Sequence, residues 1–197
     1  MFIEYFGMPG SGKTYVSDRV YNNSNVIKKN EVIKDINGLT FKDQIKVLIK
    51  YRITVLIILT CIISLQNFNE QSRMISRFLK RLAYADSIKK EKNIYVFDEL
   101  IIQSVWSIFL KFPFDPRFLL CQIIKKLEPV YHENELIYVI RNERLCIEGI
   151  SERNGTSRFD KMNEQDKERY FERGMLLMEI IKTCVEESFN TKIIVND

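Results

Sequence analysis

Gly7-Met8-Pro9-Gly10-Ser11-Gly12-Lys13-Thr14 matches the Walker A phosphate-binding pattern in full. Its residue types divide one chemical task. The glycines let backbone N–H groups turn inward on phosphates, Lys13 reaches the outer phosphates, and the Thr14 hydroxyl is suited to ligate Mg²⁺. The apolar run Phe2-Ile3-Glu4-Tyr5-Phe6 precedes the octet and a helical pattern from Tyr15 to Tyr21 follows it. A strand, a loop and a helix in that order aim the positive end of the helix dipole at the phosphates. Gly7, Pro9, Gly10, Ser11, Gly12, Lys13 and Thr14 are therefore the expected triphosphate site, with ATP and Mg²⁺ as cofactors. A phosphate loop by itself does not separate a kinase from an ATPase or a nucleotide-gated switch.

A second group of residues begins where Ile94-Tyr95-Val96-Phe97 ends in Asp98-Glu99. An acid at the end of a strand beside the phosphate loop lies next to the nucleotide, because ligands gather at the carboxyl ends of parallel strands. Asp98 can hold the Mg²⁺ water shell and Glu99 can take a proton or fix the acceptor, with either of the two open as the group that orients the acceptor hydroxyl. Acids also favour helix N-termini, so a cap on the following helix is the plain structural alternative for both. The third group is Ser151-Glu152-Arg153-Asn154-Gly155-Thr156-Ser157-Arg158. Phosphoryl transfer needs positive charge over the transferring group with water excluded, and Arg153 and Arg158 on a flap hinged at Gly155 answer that need. A solvated loop with ordinary surface arginines is the alternative.

The elements that must hold these groups can be read from periodicity. Apolar β-type runs at Phe2 to Phe6, Asn93 to Phe97, Leu136 to Ile140 and Lys192 to Val195 alternate with helical stretches, and a weaker strand falls near Asn25 to Ile27. That rhythm predicts an α/β fold, a three-layer αβα sandwich around a parallel sheet of about five strands. A length of 197 residues suits one domain spanning 1–197, with a helical acceptor or insert region at about 40–92 and a lid segment at about 149–162. Asn69 to Lys92 reads as an amphipathic helix with Met74, Ile75, Phe78, Leu79 and Leu82 on one face. Lys111 to Pro116 reads as a proline-punctuated loop, and Asn163 to Ser188 as a last helix.

Ile53 to Leu65 is the most hydrophobic stretch, preceded by Lys42, Lys46, Lys50 and Arg52. A spanning helix needs about 20 apolar residues, and this run falls short of that. Burial in the domain or at a homodimer contact is the first expectation, and a peripheral membrane contact the second. The net charge of +4 is mild and both signs are mixed along the chain, so nucleic acid is not an expected partner. Cys61, Cys121, Cys146 and Cys184 lie far apart with no CxxC pair, which predicts buried apolar thiols and a reducing, cytoplasmic setting. The N-terminus reads as a core strand rather than a secretory signal.

On these residues the chain resembles the nucleoside and nucleotide kinase group of phosphate-loop proteins, with its thymidylate-kinase-like and adenylate-kinase-like members. The resemblance spans nearly the whole length and rests on GMPGSGKT at 7–14, NIYVFDELIIQ at 93–103, ERNGTSR at 152–158 and the closing KIIV. Within the group it looks most like small kinases found with surface-glycan genes, whose strand ends in Asp-Glu followed by an apolar pair and Gln, here Asp98 to Gln103. The resemblance implies the phosphate-loop NTPase fold, a lid and a small-molecule acceptor. Two departures stand out. Where such kinases place Arg-Ile-x-x-Arg before the lid, this chain has Gly149-Ile150-Ser151-Glu152-Arg153, so Arg144 or Arg158 would have to compensate. The Asp-Arg of the thymidylate kinase pattern is Asp98-Glu99 here, which disfavours a monophosphate acceptor and suits a hydroxyl compound such as a nucleoside, sugar or polyol.

The leading expectation is an ATP-dependent phosphotransferase. The alternatives are a Walker-type ATPase and a nucleotide-binding regulatory module acting on a protein or membrane partner. Gln103 is the expected acceptor contact, and Arg73 and Arg77, one helical turn apart, are candidates for an acidic acceptor or for a solvated face. Trp106 and the single histidine, His132, read as packing and surface residues.

Overall fold

The computed structural model describes residues 1–21, 26–63, 68–89, 91–110, 112–152, 162–189 and 191–196. Five strands form one parallel sheet: β1 (Phe2–Phe6), β2 (Val26–Lys28), β3 (Ile94–Phe97), β4 (Glu135–Ile140) and β5 (Thr191–Val195), in the order β2-β3-β1-β4-β5. β1 is central, with Ile3 level with Val96 on one side and Glu135 on the other. Its residues are buried on both faces, which is why it reads as a continuous apolar run rather than an alternating one. Alternation still sorts its side chains. Phe2 and Phe6 enter the large core, whereas Ile3 and Tyr5 join a smaller one with Val16 of α1 (Lys13–Val20).

The helices between β2 and β3 are α2 (Lys29–Gly38), α3 (Phe41–Lys50), α4 (Thr54–Ile63) and α5 (Phe68–Ile88). α3 starts at a capping box, in which Thr40 Oγ1 accepts from the Asp43 N–H and Asp43 Oδ2 accepts from the Thr40 N–H at 3.0 Å. On α5, Met74, Ile75, Phe78, Leu79, Leu82 and Ile88 are buried at helical spacing, and the helix packs on α3 and on α6 (Ile101–Phe109). Burying each such side chain contributes about 1.5–3 kcal/mol. The last helices are α7 (Arg117–Lys126), α8 (Glu128–Tyr131), α9 (Glu143–Ser151) and α10 (Glu164–Glu186), the last capped by Asn163, whose Oδ1 accepts from the Asp166 N–H at 2.8 Å.

The cysteine expectation needs correction, and the hydrophobic stretch around Ile53 divides into a buried and an exposed face in the single chain. Arg52, at φ 52°, breaks the chain between α3 and α4; Ile53 just before α4 and Ile57 and Thr60 along it are buried, while Val55, Ile58 and Leu59 are exposed. One face of α4 is covered by α5 and α7, which leaves the other uncovered. The cysteines do not all stay apart. Cys121 of α7 and Cys184 of α10 form a disulfide with their Cα atoms 5.3 Å apart, because those two helices pack side by side across 63 residues of sequence. Spacing in sequence thus gives no ground for a reducing setting. Cys146 is a buried free thiol, as expected. No helix among the described residues is long and apolar enough to cross a membrane.

Candidate active site

Four strand ends converge. β1 runs into the phosphate loop, β3 into Asp98-Glu99, β4 into Arg141 and β5 into Asn196. The loop curls tightly enough for the Ser11 N–H to reach the Met8 carbonyl at 3.1 Å. Lys13 folds back over it, and its Nζ donates to the carbonyls of Gly7 at 3.1 Å and Met8 at 3.0 Å. An ammonium held at the loop's mouth, 7% exposed, is set to meet phosphate oxygens there.

Gly10 adopts φ 82° with the Cys146 carbonyl of α9 pressed against it, 2.0 Å from where a Cβ would stand. Only glycine satisfies both the left-handed backbone and that contact. Gly10→Ala is expected to weaken MgATP binding about ten- to a hundredfold, the equivalent of about 1–3 kcal/mol of backbone strain, as read by titration calorimetry. Wild-type affinity in that variant would show that the loop does not need this conformation.

Thr14 Oγ1 donates to Asp98 Oδ2 at 2.6 Å. A hydroxyl and a carboxylate side by side at the loop are the hard oxygen donors that Mg²⁺ takes from protein, the remaining positions going to phosphate and water. The pair fits that ion. Among the described residues no cluster of three or more His, Cys, Asp or Glu could hold a metal ion by itself.

Glu99 parts company with its neighbour. It lines a pocket of about 110 Å³ beside the phosphate loop, together with Pro9, Met74, Arg77, Arg81, Gln103 and Trp106. Gln103 Oε1 also accepts from the Gly7 N–H at 3.4 Å, so one amide touches both the loop and the pocket. Trp106 is a packed wall, with Nε1 donating to the Gly174 carbonyl at 3.0 Å. Arg73 and Arg77 are separated by the geometry. Both are exposed, but Arg77 lines the pocket, whereas the Arg73 Nε donates to the Asn69 carbonyl at 3.1 Å within α5. Arg81, one turn beyond Arg77, is the arginine that periodicity could have singled out. Its Nη1 donates to Ser104 Oγ at 2.8 Å and to the Leu100 carbonyl at 3.2 Å. Burial lowers its pKa, and Glu99 is the largest charge opposing that shift.

The start of the next helix, α6, is held by a residue from the sheet. Glu4, in the middle of β1, holds it from below: its fully buried Oε1 accepts from the N–H groups of Leu100 at 3.2 Å, Ile102 at 2.8 Å and Gln103 at 3.4 Å. Tyr131 donates its hydroxyl to Glu4 Oε2 at 2.5 Å. Desolvation raises the Glu4 pKa against the lowering effect of those donors, and burial with the adjacent carboxylate pushes Tyr131 well up. A carboxylate inside an apolar strand was the visible signal for this role.

Arg144, one of the two arginines expected to stand in for the one missing before the lid segment, lies away from the loop. It pairs with Glu148 at 3.0 Å on the outer face of α9. Arg141 reaches the loop instead, with Nη1 donating to the Gly10 carbonyl at 3.0 Å. A Cβ on Gly149 would meet that same Nη1 and the Gly10 carbonyl oxygen at 3.1 Å each, so a side chain there would make α9 or Arg141 shift by a few tenths of an ångström. Asn196 completes the frame, its Nδ2 donating to the Ser11 carbonyl at 2.9 Å. Arg153 and Arg158 lie outside the described residues.

A parallel sheet in this order, a glycine-rich loop between β1 and α1, and a β3 carboxylate against the loop threonine define a phosphate-loop α/β fold. Among solved structures the chain is similar to a deoxyadenosine kinase from M. mycoides with bound dATP, at TM-score 0.57 and 16% identity, covering 99% of this chain and 91% of that one. It is also similar to the same kinase with products dCMP and dCDP bound, at TM-score 0.55 and 16% identity over 100% and 90% of the two chains. The dCTP-bound form gives TM-score 0.50 at 16% identity over 99% and 90%. At that identity the likeness is one of fold. No family model matches the chain, and no curated protein matches it in sequence.

Proposed function

We propose that this protein is an ATP-dependent phosphotransferase that moves the γ-phosphoryl group of ATP to a hydroxyl of a small molecule, with a nucleoside as the first acceptor class to test. The observation that carries the reading is the division of labour at the end of β3. Asp98 turns to the loop threonine, and Glu99 turns to a separate small pocket beside the loop. Trp106, Met74, Gln103 and Arg77 wall that pocket with apolar and polar groups for an organic acceptor, of which its volume of about 110 Å³ admits only the reacting end. The fold likeness to deoxyadenosine kinases supports the nucleoside choice over a sugar or polyol.

Lys13 and the loop N–H groups bind the phosphates, while Thr14 and Asp98 would hold Mg²⁺, which would supply charge neutralisation to the phosphates. Glu99 accepts the proton of the acceptor hydroxyl as its oxygen bonds to the γ-phosphorus and the bond to the ADP oxygen breaks. Gln103 and Arg77 orient the acceptor, with Arg81 holding Glu99 in place by charge. Arg153 and Arg158 are assigned to cover the transferring group, and the surface-glycan association stays with the family resemblance. The domain reading is proposed unchanged: one unit over 1–197 with an acceptor region at about 40–92 and a lid at about 149–162.

The test is ADP release from MgATP by the purified protein, alone and with pools of nucleosides, nucleotides, sugars and polyols. Turnover confined to the nucleoside pool is the expected result, and Glu99→Gln should lower it about a hundredfold with MgATP affinity retained. Equal turnover without any acceptor would turn the assignment to an ATPase, and binding without turnover to a regulatory module.

A further inference from the structure

Two apolar stripes lie uncovered on successive helices. On α3, Phe41, Ile45 and Ile49 recur every four residues on one face, with Phe41 73% and Ile49 68% exposed. On α4, Val55, Ile58 and Leu59 occupy the face opposite Ile57, with Val55 67% and Ile58 51% exposed. Scattered exposed aliphatics need no account, but six large ones within 41–59 mark a contact surface. The stripe has a basic border. It holds Lys42, Lys46, Lys50 and Arg52, with Asp43 at 3.5 Å from Lys46 and Asp86 at 2.6 Å from Lys50. Four cations against two anions leave the border positive, and α4 carries no ionisable acid or base from Thr54 to Leu59.

We propose that this α3–α4 face docks on an anionic lipid bilayer, with the apolar side chains at the headgroup boundary and the lysines and Arg52 among the headgroups. Charge complementarity selects this occupant. A two-fold contact with a second copy would set the same positive border against itself, whereas an anionic leaflet offers hydrocarbon to the stripe and negative charge to the border together. Lysine stems can lie along the apolar surface with their ammonium groups in the headgroups. Each helix is ten residues, about 15 Å long, which fits a helix lying in the interface plane rather than a span. This surface is separate from the pocket beside the phosphate loop, so the proposal does not depend on the phosphotransferase reading.

Flotation of the full-length protein with phosphatidylcholine vesicles, with and without about one-third phosphatidylserine, tests it. Binding is expected only with phosphatidylserine, and high salt should release it. Ile49→Glu combined with Ile58→Glu should lower that binding at least about tenfold, with melting temperature and MgATP affinity unchanged because both side chains are exposed. Lys42→Glu with Arg52→Glu should remove the dependence on phosphatidylserine. Failure to float with either vesicle, or equal binding to both, would overturn the proposal. So would a dimer in light scattering that Ile49→Glu with Ile58→Glu splits, since the face would then belong to a second copy.

Discussion

Lys13→Ala should reduce acceptor-dependent ADP release about a thousandfold while leaving the protein folded. The ammonium is held over the carbonyls of Gly7 and Met8, where the outer phosphates of a bound nucleotide would lie. A fixed charge that meets negative charge developing in the transition state contributes roughly 3–4 kcal/mol there, the equivalent of about a hundred- to a thousandfold in rate. The upper end applies because Lys13 is nearly buried and its site is partly desolvated. Far-ultraviolet circular dichroism and a melting curve would establish that the fold persists. Single-turnover measurements with MgATP then separate a loss of binding from a loss of chemistry. Lys13→Arg is a second probe, since the planar guanidinium keeps the charge but not the point geometry. Full turnover in Lys13→Ala would remove the loop from catalysis altogether.

Glu4→Ala should destabilise the protein by about 3–5 kcal/mol and lower its melting temperature by roughly 10–15 °C. Glu4 accepts three backbone N–H groups at the start of α6 and the Tyr131 hydroxyl, all away from solvent, and alanine would leave those donors without their acceptor. The loss also frees the segment that carries Glu99 and Gln103, so activity should fall further than stability alone explains. Glu4→Gln keeps an acceptor oxygen for the N–H groups and lets its amide donate to Tyr131, and it should be much milder.

The same residue sets a pH dependence. Its folded-state pKa is raised above 4.5 by burial. Below that value folded and unfolded chains both carry the proton and stability does not change with pH on its account. Between 4.5 and the raised value the unfolded chain has lost the proton while the folded chain keeps it, so folding takes up a proton and stability falls as pH rises, by up to about 1.4 kcal/mol per pH unit. Above the raised value the loss levels off. Denaturant melts of wild type and Glu4→Gln over this range should show that slope in the first and not in the second. Parallel slopes would assign the pH dependence to other groups.

Much of the architecture was legible because it is local. The strands at Phe2–Phe6 and Ile94–Phe97 announce themselves by β-type apolar runs, α5 by its three-and-four spacing, and α10 by the Asn163 cap. Walker A is a contiguous octet, and Asp98-Glu99 follows a strand directly, so both could be read in place.

The contacts that shape the site join residues far apart. Glu4 meets Tyr131 and the start of α6, Arg141 meets Gly10, and Asn196 meets Ser11 across 185 residues. Periodicity marks which face of an element is apolar but not which element will cover it, and on α4 the packing on α5 and α7 decides that Ile57 and Thr60 are buried while Val55 and Ile58 are exposed. Arg73 and Arg77 share a helical spacing and still separate, because the pocket lies over only part of α5. Cys121 and Cys184 meet for the same reason, through the packing of α7 on α10. By itself the sequence determined the order of the elements and the phosphate chemistry at the head of the chain. Tertiary packing decided which carboxylate serves the loop and which the pocket, because side-chain direction at the end of β3 depends on neighbours contributed by β1 and α5.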